Sequence, residues 1–396
     1  MKFALLGDDP IVHPLIREIA TRSECQLTHA ALLGEQETEI LQIAPAVRLV
    51  GGWEELLSPE IDAVIVCGSA DLIGPSTKQL AAAGRPLVVF PKGAWDTELI
   101  YELSLARDDN GVRLIPVCPL LEQPFFRDTH AVSSQEADVP NPIIHLRLER
   151  NVSMPAGAEL TEAVLRTFLL SDVGLLRKLG GEYHQVTAVK SSTPTGGIVS
   201  ATVTLSGDNL PDAVWTIRPN STNPVWQFSI ARNAATETYQ GEGDIETIRK
   251  LDKEADPGGL TFDMGKAVLQ HIERSLTQPD ARPDWTDLTR DFEVLDAVRR
   301  SFARRRTIDL HFETTSERSL FKTQMTAIGC GVMMLTLFAV VALLVLGAAL
   351  DARNPVEIKA QKANTIFYED EFVAGEANLT SKGVEHWQSV EAERRD

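Results

Sequence analysis

The first 120 residues alternate short apolar runs with longer stretches in which apolar residues recur at helical spacing. Continuous apolar runs, which are typical of strands buried on both faces of a parallel sheet, occupy residues 2–7, 26–33, 61–68, 86–90 and 112–117. Helical patterns connect them at residues 10–21, 53–57, 71–83 and 96–107. This alternation predicts an α/β domain over residues 1–120, built on a doubly wound parallel sheet.

The pattern changes in the second part of the body. An alternating strand at residues 142–150 and an amphipathic helix at residues 159–179 are followed by four or five β-rich runs between residues 186 and 262. Turn residues separate these runs, and consecutive strands with short links favour antiparallel pairing. The sequence therefore predicts a second, α+β domain with an open antiparallel sheet over residues 121–310, closing with a helix at 286–306.

A long apolar segment follows the body. Met325 to Leu350 form 26 residues without one charge, and a helix of that length reaches about 39 Å. The hydrocarbon core of a bilayer is about 30 Å thick. A buried helix of a globular core is the alternative, but it would be shorter and keep a polar side. We predict one transmembrane helix at residues 325–350, with the lipid bilayer as its partner.

Basic residues around this segment predict its orientation. More of them precede the segment than follow it, which favours a cytoplasmic body and a translocated polar tail at residues 351–396. The N-terminal apolar run covers only four residues, too few for a signal peptide, so the body is expected to begin in the cytoplasm. Arg304 to Arg306 could contact anionic lipid or simply form a solvated helix end.

Composition excludes some partners. Acidic side chains outnumber basic ones by 56 to 38, so the surface field repels phosphate backbones and nucleic acid is not an expected partner. The four cysteines are far apart and lack the spacing of zinc ligands, which predicts reduced thiols and no metal site. They are Cys25, Cys67, Cys118 and Cys330.

Four segments, in this order, carry a family resemblance: residues 53–66 (WEELLSPEIDAVIV), 83–89 (AGRPLVV), 171–182 (SDVGLLRKLGGE) and 292–310 (FEVLDAVRRSFARRRTIDL). They resemble strings of the glucose-fructose oxidoreductase and inositol dehydrogenase family, Gfo/Idh/MocA. The resemblance implies a Rossmann-like domain that binds NAD or NADP, and a C-terminal sheet domain that supports the substrate pocket and often forms homo-oligomers. It also implies hydride transfer at a sugar or cyclitol hydroxyl.

The family's G-x-G-x-x-G phosphate loop falls on residues 7–12 (GDDPIV), where only the first glycine, Gly7, is present. The missing glycines normally allow close approach of the pyrophosphate and tight packing of helix on strand. An ionised Asp9 would repel a diphosphate. Alternatively, Asp8 or Asp9 could cap the first helix before Pro10.

Three further residues are candidates for cofactor binding through the resemblance. Glu35 follows the second strand, where a family member can place an acid for the ribose hydroxyls. Gly68 ends the strand at 61–68, and Ser69 follows it.

The family's catalytic positions are also altered. Its Glu-Lys-Pro string falls on Phe90, Pro91 and Lys92, so that the lysine comes one residue late. Lys92 is a candidate catalytic residue only if the proline turn re-aims it, and is otherwise a strand-end lysine.

The family's D-x-x-x-H pair falls on Thr167 and Ser171. Neither side chain is a strong base at neutral pH. The neighbouring Asp172 is a candidate catalytic acid or base in their place, or a helix-surface acid.

Two functions remain open from the sequence. The chain could be a membrane-anchored oxidoreductase with an altered cofactor loop. It could also be a relative with impaired or lost catalysis that keeps the fold as a binding or scaffold module, because kinship of fold alone does not establish activity.

Overall fold

The computed structural model describes residues 1–127, 142–154, 158–219, 224–242, 247–251, 262–278, 280–311 and 333–346. The body up to residue 311 belongs to one compact unit, which contains both sheets, and 333–346 belongs to a second unit. The predicted boundary between two domains near residue 120 stays a prediction.

The first sheet is six-stranded and parallel, in the order β3-β2-β1-β4-β5-β6. Its strands are β1 (Lys2–Leu6), β2 (Gln26–Ala31), β3 (Arg48–Leu49), β4 (Ala63–Val66), β5 (Leu87–Val89) and β6 (Leu114–Pro116). The connecting helices are α1 (His13–Thr21), α2 (Glu37–Ile43), α3 (Ala70–Ala82) and α4 (Thr97–Asn110). The doubly wound parallel sheet is confirmed, and α2 and β3 are additions that the sequence pattern did not indicate.

The second sheet is eight-stranded, in the order β13-β12-β11-β7-β10-β9-β8-β14. Its strands are β7 (Ile143–Val152), β8 (Gln185–Ser192), β9 (Ile198–Ser206), β10 (Asp212–Pro219), β11 (Val225–Arg232), β12 (Thr236–Gly241), β13 (Arg249–Lys250) and β14 (Ile308–Asp309). The other helices of this part are α5 (Pro124–Arg127), α6 (Glu162–Gly180), α7 (Met264–Thr277) and α8 (Trp285–Arg304).

The prediction of a purely antiparallel sheet was wrong at one position. Strand β7 lies at the centre, antiparallel to β11 but parallel to β10. The sheet is therefore mixed. After β7 the chain forms α6, β8 and β9, and then β10 returns to pair beside β7 in the same direction. Of the predicted strand near residues 260–262, residues 260 and 261 lie outside the described residues.

Both faces of the parallel sheet are buried, which explains its uninterrupted apolar strands. Along β1, Phe3 and Leu5 face the side covered by α1 and α7, while Ala4 and Leu6 face the other side. The apolar core that contains Ala4 and Leu6 is continuous with the buried face of the eight-stranded sheet. Helices α6 and α8 pack against each other, and α8 also contacts α4, so α8 links the two sheets.

The apolar segment is described only in its central part. Residues 333–346 form a helix with exposed apolar side chains, among them Leu335 and Phe338. Within the described ranges, no helix has the length and apolar character needed to cross a membrane. The rest of the predicted transmembrane segment, 325–332 and 347–350, and the predicted tail 351–396 lie outside the described residues.

Replacement of Gly7 by alanine tests how closely β1 and β4 meet. The added Cβ would lie 1.5 Å from the Cys67 carbonyl oxygen, and Gly7 already has φ +117°. We expect Gly7→Ala to lower the free energy of unfolding by about 2 to 4 kcal/mol, through overpacking and backbone strain. Urea unfolding of the purified chain, followed by tryptophan fluorescence, measures this loss.

Gly84→Ala is the matched control. Gly84 also has positive φ, at +76°, but has no atom within 4 Å of the added Cβ. Gly84→Ala should lower the free energy of unfolding by only about 1 kcal/mol, the cost of a left-handed backbone. Equal losses at the two positions would contradict the close approach of the strands.

Candidate functional site

The first turn of the parallel sheet brings a carboxylate to the start of a helix. Asp9 accepts a hydrogen bond from the Ile11 backbone N–H at 2.9 Å, at the beginning of a 3₁₀ turn, Pro10–Val12, that leads directly into α1. The predicted capping role of an aspartate before Pro10 is thereby confirmed for Asp9. Backbone N–H groups at such a position favour an anion, and the carboxylate supplies it.

Lys92 lies against the same carboxylate. It follows β5, and its Nζ forms an ion pair with Asp9 Oδ2; the Asp9 side chain is 12% exposed and the lysine side chain 37% exposed. The one-residue shift of the lysine does not leave it isolated, because it reaches across the strand ends to the β1 turn. Lys92 is thus engaged by an internal anion at the carboxyl edge of the sheet.

The predicted cofactor residues gather at this edge. Gly7 and Gly68 both have positive φ, and Gly7 packs directly on the Cys67 carbonyl. Ser69 is the N-cap residue of α3 but its side chain forms no capping hydrogen bond. Glu35 is exposed, in the turn after β2. The structure therefore brings these residues to one edge. Gly7 serves the packing of two strands there, and Ser69 begins α3.

Asp8 places a second carboxylate among these turns. Its oxygens lie 2.8 Å from a Cβ built on Gly68 and 3.4 Å from one built on Gly34, so the side chain sits between the ends of β4 and β2. Asp8 and Asp9 thus adjoin the position where a dinucleotide pyrophosphate meets a Rossmann-like sheet. Two carboxylates with one lysine do not fit a diphosphate, since like charges at about 4 Å repel by about 1 to 4 kcal/mol.

Asp172 occupies a different environment. It is fully buried, and both of its oxygens accept hydrogen bonds from Arg150, at 2.6 and 2.7 Å. The indole N–H groups of Trp215 and Trp226 donate to the same two oxygens, at 2.7 and 3.2 Å. All four acceptor positions of the carboxylate are thereby used. This geometry holds α6 on the eight-stranded sheet, and the catalytic role predicted for Asp172 finds no support in it.

The other two family positions on α6 bond to their own helix. Thr167 donates to the Ala163 carbonyl at 3.1 Å, and Ser171 donates to the Phe168 carbonyl at 2.8 Å. Ser171 also accepts from Arg150 at 3.1 Å. Both hydroxyls are thus satisfied by partners within the protein.

The loop after β5 packs directly on α6 through residues 93–95, which we call the 93–95 wedge. A Cβ on Gly93 would lie 2.3 Å from the Arg166 carbonyl, so the loop backbone touches the backbone of α6. Trp95 is fully buried, donates to the Gly68 carbonyl at 2.9 Å and, through its own carbonyl, accepts from Arg166 at 3.0 Å. No ligand fits between loop and helix at this contact. Sequence reasoning missed the wedge, although the glycine and the tryptophan directly after Lys92 were a possible signal.

A cavity of about 390 Å³, lined mainly by charged residues, lies farther along α6, between the turn after β6 and the first turns of α8. At its wall Arg177 forms a buried ion pair with Asp291 and a second ion pair with the partly exposed Glu182. Burial raises the pKa of Asp291 to about 6, although the neighbouring guanidinium opposes the shift. Among the described residues, no three histidine, cysteine or acidic side chains are grouped so that they could hold a metal ion.

Replacing Asp172 by asparagine tests its structural role. The change keeps the shape of the side chain but leaves Arg150, which is 7% exposed, without its counter-charge. We expect the free energy of unfolding to fall by about 3 to 5 kcal/mol, measured by urea unfolding.

Asp296→Asn, which removes the partner of the half-exposed Arg299 and Arg300 on α8, is the matched control. It should cost about 1 kcal/mol or less. If Asp172→Asn cost no more than this control, the buried network would not hold α6 in place.

Comparison with known proteins gives a likeness of fold. No sequence model of a known family matches the chain, and no curated protein matches it. Solved structures do match, at 16 to 18% identity in the following three cases. A myo-inositol dehydrogenase from Corynebacterium glutamicum aligns with TM-score 0.61 and 16% identity, over 78% of this chain and 99% of that one.

Two of the matching structures hold a dinucleotide. The WlbA dehydrogenase from Bordetella pertussis, in complex with NADH and UDP-GlcNAcA, aligns with TM-score 0.62 and 17% identity, over 79% of this chain and 99% of that one. GenD2 from gentamicin A biosynthesis, in complex with NAD, aligns with TM-score 0.60 and 18% identity, over 78% and 96%. The chain therefore has the fold of Gfo/Idh-type dehydrogenases, a Rossmann-like parallel sheet followed by an open mixed sheet with helices.

Proposed function

We propose that this protein is a membrane-anchored relative of the NAD(P)-dependent Gfo/Idh/MocA oxidoreductases in which catalysis is impaired or lost. It serves instead as a binding or scaffold module on the cytoplasmic side of the membrane. The observation that carries this proposal is the Asp9–Lys92 ion pair on the helix start after β1.

The ion pair affects two requirements of the dehydrogenase reaction together. A dinucleotide needs its diphosphate close to the first helix, and Asp9 already supplies the anion there. A catalytic lysine needs a free ammonium beside the substrate, and the ammonium of Lys92 is paired with Asp9. The 93–95 wedge adds a third obstacle, because it closes the space between the β5 loop and α6.

The alternative is an active oxidoreductase that acts on a sugar or cyclitol hydroxyl with NAD or NADP. Its support is the shared fold, which covers about four fifths of this chain and nearly all of the dehydrogenases compared. In that case the Asp9–Lys92 pair would have to open when the dinucleotide binds. Because the sequence identity is low, the comparison supports a shared fold and does not establish a shared reaction.

Membrane anchoring rests on the apolar segment. The 26 uncharged residues from Met325 to Leu350 are long enough to span a bilayer. The helix at 333–346 presents apolar side chains all round, with Leu335 72% and Phe338 73% exposed. Such a surface is stable in lipid and unfavourable in water. The excess of basic residues before the segment favours a cytoplasmic body and a translocated tail.

A second copy of the chain is a further proposed partner. The open face of the eight-stranded sheet carries Val189, which is 62% exposed, with the side chains of Thr187 and Thr202 beside it. Pairing of two such faces would bury these side chains and produce a homo-oligomer.

Titration of the purified chain with NADH and NADPH, followed by cofactor fluorescence, tests the loss of cofactor binding. We expect no saturable binding at millimolar cofactor. Asp9→Gly should raise the affinity tenfold or more, because it removes the repelling carboxylate and frees Lys92, while a glycine cap costs only a few tenths of a kcal/mol.

Asp208→Gly, at an exposed turn between β9 and β10, is the matched control and should leave binding unchanged. Saturable binding by the unmodified chain would contradict the proposal and favour the oxidoreductase. A substrate screen with Lys92→Ala as its control would then follow.

Extraction of isolated membranes tests the anchor. We expect the full chain to remain in the membrane in alkaline carbonate and to dissolve only in detergent, because about 26 apolar residues must leave lipid together. A chain without residues 325–350 should be found in the soluble fraction. Release of the full chain by carbonate would show that the segment does not span the bilayer.

A further inference from the structure

Three consecutive arginines end the last long helix of the body. Arg304 is the final residue of α8, Arg305 caps the helix in a left-handed conformation, and Arg306 follows. All three are exposed. Within the part of the chain that the structure describes, none of them forms an ion pair, and we call these three residues the arginine patch.

Nearby charges leave the patch positive. Arg299 and Arg300, one turn earlier, share Asp296 and so are neutralised in part. The next carboxylate along the chain, Asp309, accepts a hydrogen bond from Gln185. The C-terminus of α8 attracts cations through its dipole, but with only about half an elementary charge. A concentrated positive surface thus stands on a protein whose net charge is −18.

The patch lies close along the chain to the proposed anchor. Only 14 residues, 311 to 324, separate Leu310 from Met325. Fully extended, they would span about 50 Å at most. The same residues carry two acidic side chains, Glu313 and Glu317, and two basic ones, Arg318 and Lys322, so their formal charges cancel. This short separation along the chain keeps the arginine patch at high effective concentration beside the lipid surface.

We propose that the arginine patch docks on anionic phospholipid headgroups of the cytoplasmic leaflet. The proposal rests on the membrane anchoring proposed above and goes beyond it. Guanidinium groups match lipid phosphates because each presents a planar fork of donors and is weakly hydrated. Anchoring alone does not determine which surface of the body meets the lipid, whereas docking fixes one end of α8 at the membrane surface.

Energy transfer in lipid nanodiscs tests the docking. A donor dye is placed at position 303, which is exposed on the last turn of α8, by an encoded non-natural amino acid in the full chain. The acceptor is a headgroup-labelled lipid. Transfer should be high when the disc contains phosphatidylglycerol, and should fall when the disc is phosphatidylcholine alone or when salt is raised.

The decisive variant is R304Q/R305Q/R306Q. Each arginine near an anionic surface favours docking by about fivefold, so the triple change should lower the docked-to-undocked ratio on the order of 100-fold. The matched control is R17Q/R48Q/R249Q, which removes the same charge from exposed positions elsewhere on the body and should leave the transfer unchanged. A donor at position 82, exposed at the end of α3, reports whether the dependence on lipid charge belongs to the end of α8.

The outcomes separate the two proposals. Transfer that is independent of lipid charge, or equal losses in both triple variants, would overturn docking while the anchor stands. A chain that does not incorporate into discs would overturn the anchor. The same labelled chain mixed with preformed phosphatidylglycerol vesicles then decides docking: binding that the patch variant loses supports it, and no binding overturns it.

Discussion

The Asp172 carboxylate fixes the relation between α6 and the eight-stranded sheet. It collects two bonds from Arg150 on β7 and one each from indoles on β10 and β11, so a single helix residue is tied to three adjacent strands. A buried charge is tolerated only when it is fully bonded in this way. Because α6 is held, its N-terminal half offers a rigid surface on which the loop after β5 can rest.

The rigidity of α6 extends to the parallel sheet through the 93–95 wedge. Gly93 has no side chain and can touch the helix backbone, and Trp95 continues the contact as far as the Gly68 turn. The edge where a Rossmann-like fold normally holds its dinucleotide is therefore packed by protein on one side. On the other side Asp9 and Lys92 neutralise each other. Charge and packing thus both disfavour a dinucleotide at this edge. The residues responsible come from three separate loops.

Much of the fold could be predicted because its signals are local. Uninterrupted apolar runs such as residues 61–68 identify strands that are covered on both faces, and the order of strands and helices indicates a parallel sheet. The aspartate before Pro10 likewise indicated a cap, which Asp9 provides. The central position of β7 could not be predicted, because short runs with similar composition do not specify which strand pairs with which.

The candidate site was harder to predict, because the role of each side chain depends on partners that are distant along the chain. Asp172 looked available for catalysis since the sequence does not reveal which face of α6 meets the sheet. Its partners lie 22, 43 and 54 residues away along the chain. Lys92 was placed at the correct edge, but its pairing with Asp9 depends on the approach of the β1 and β5 turns. The wedge depends on a glycine, whose importance is visible only from what surrounds it.

The parallel pairing of β7 with β10 constrains how the protein is made. About 60 residues separate the end of β7 from the start of β10, and they include all of α6, β8 and β9. The central strand is therefore synthesised well before either of its neighbours, and closing so long a loop is slow compared with forming a hairpin. During translation β7 waits with two unpaired edges, which are sites for wrong pairing or for chaperone binding. Only when β10 and β11 have left the ribosome can the two tryptophans reach Asp172 and join β7 to both of its neighbours.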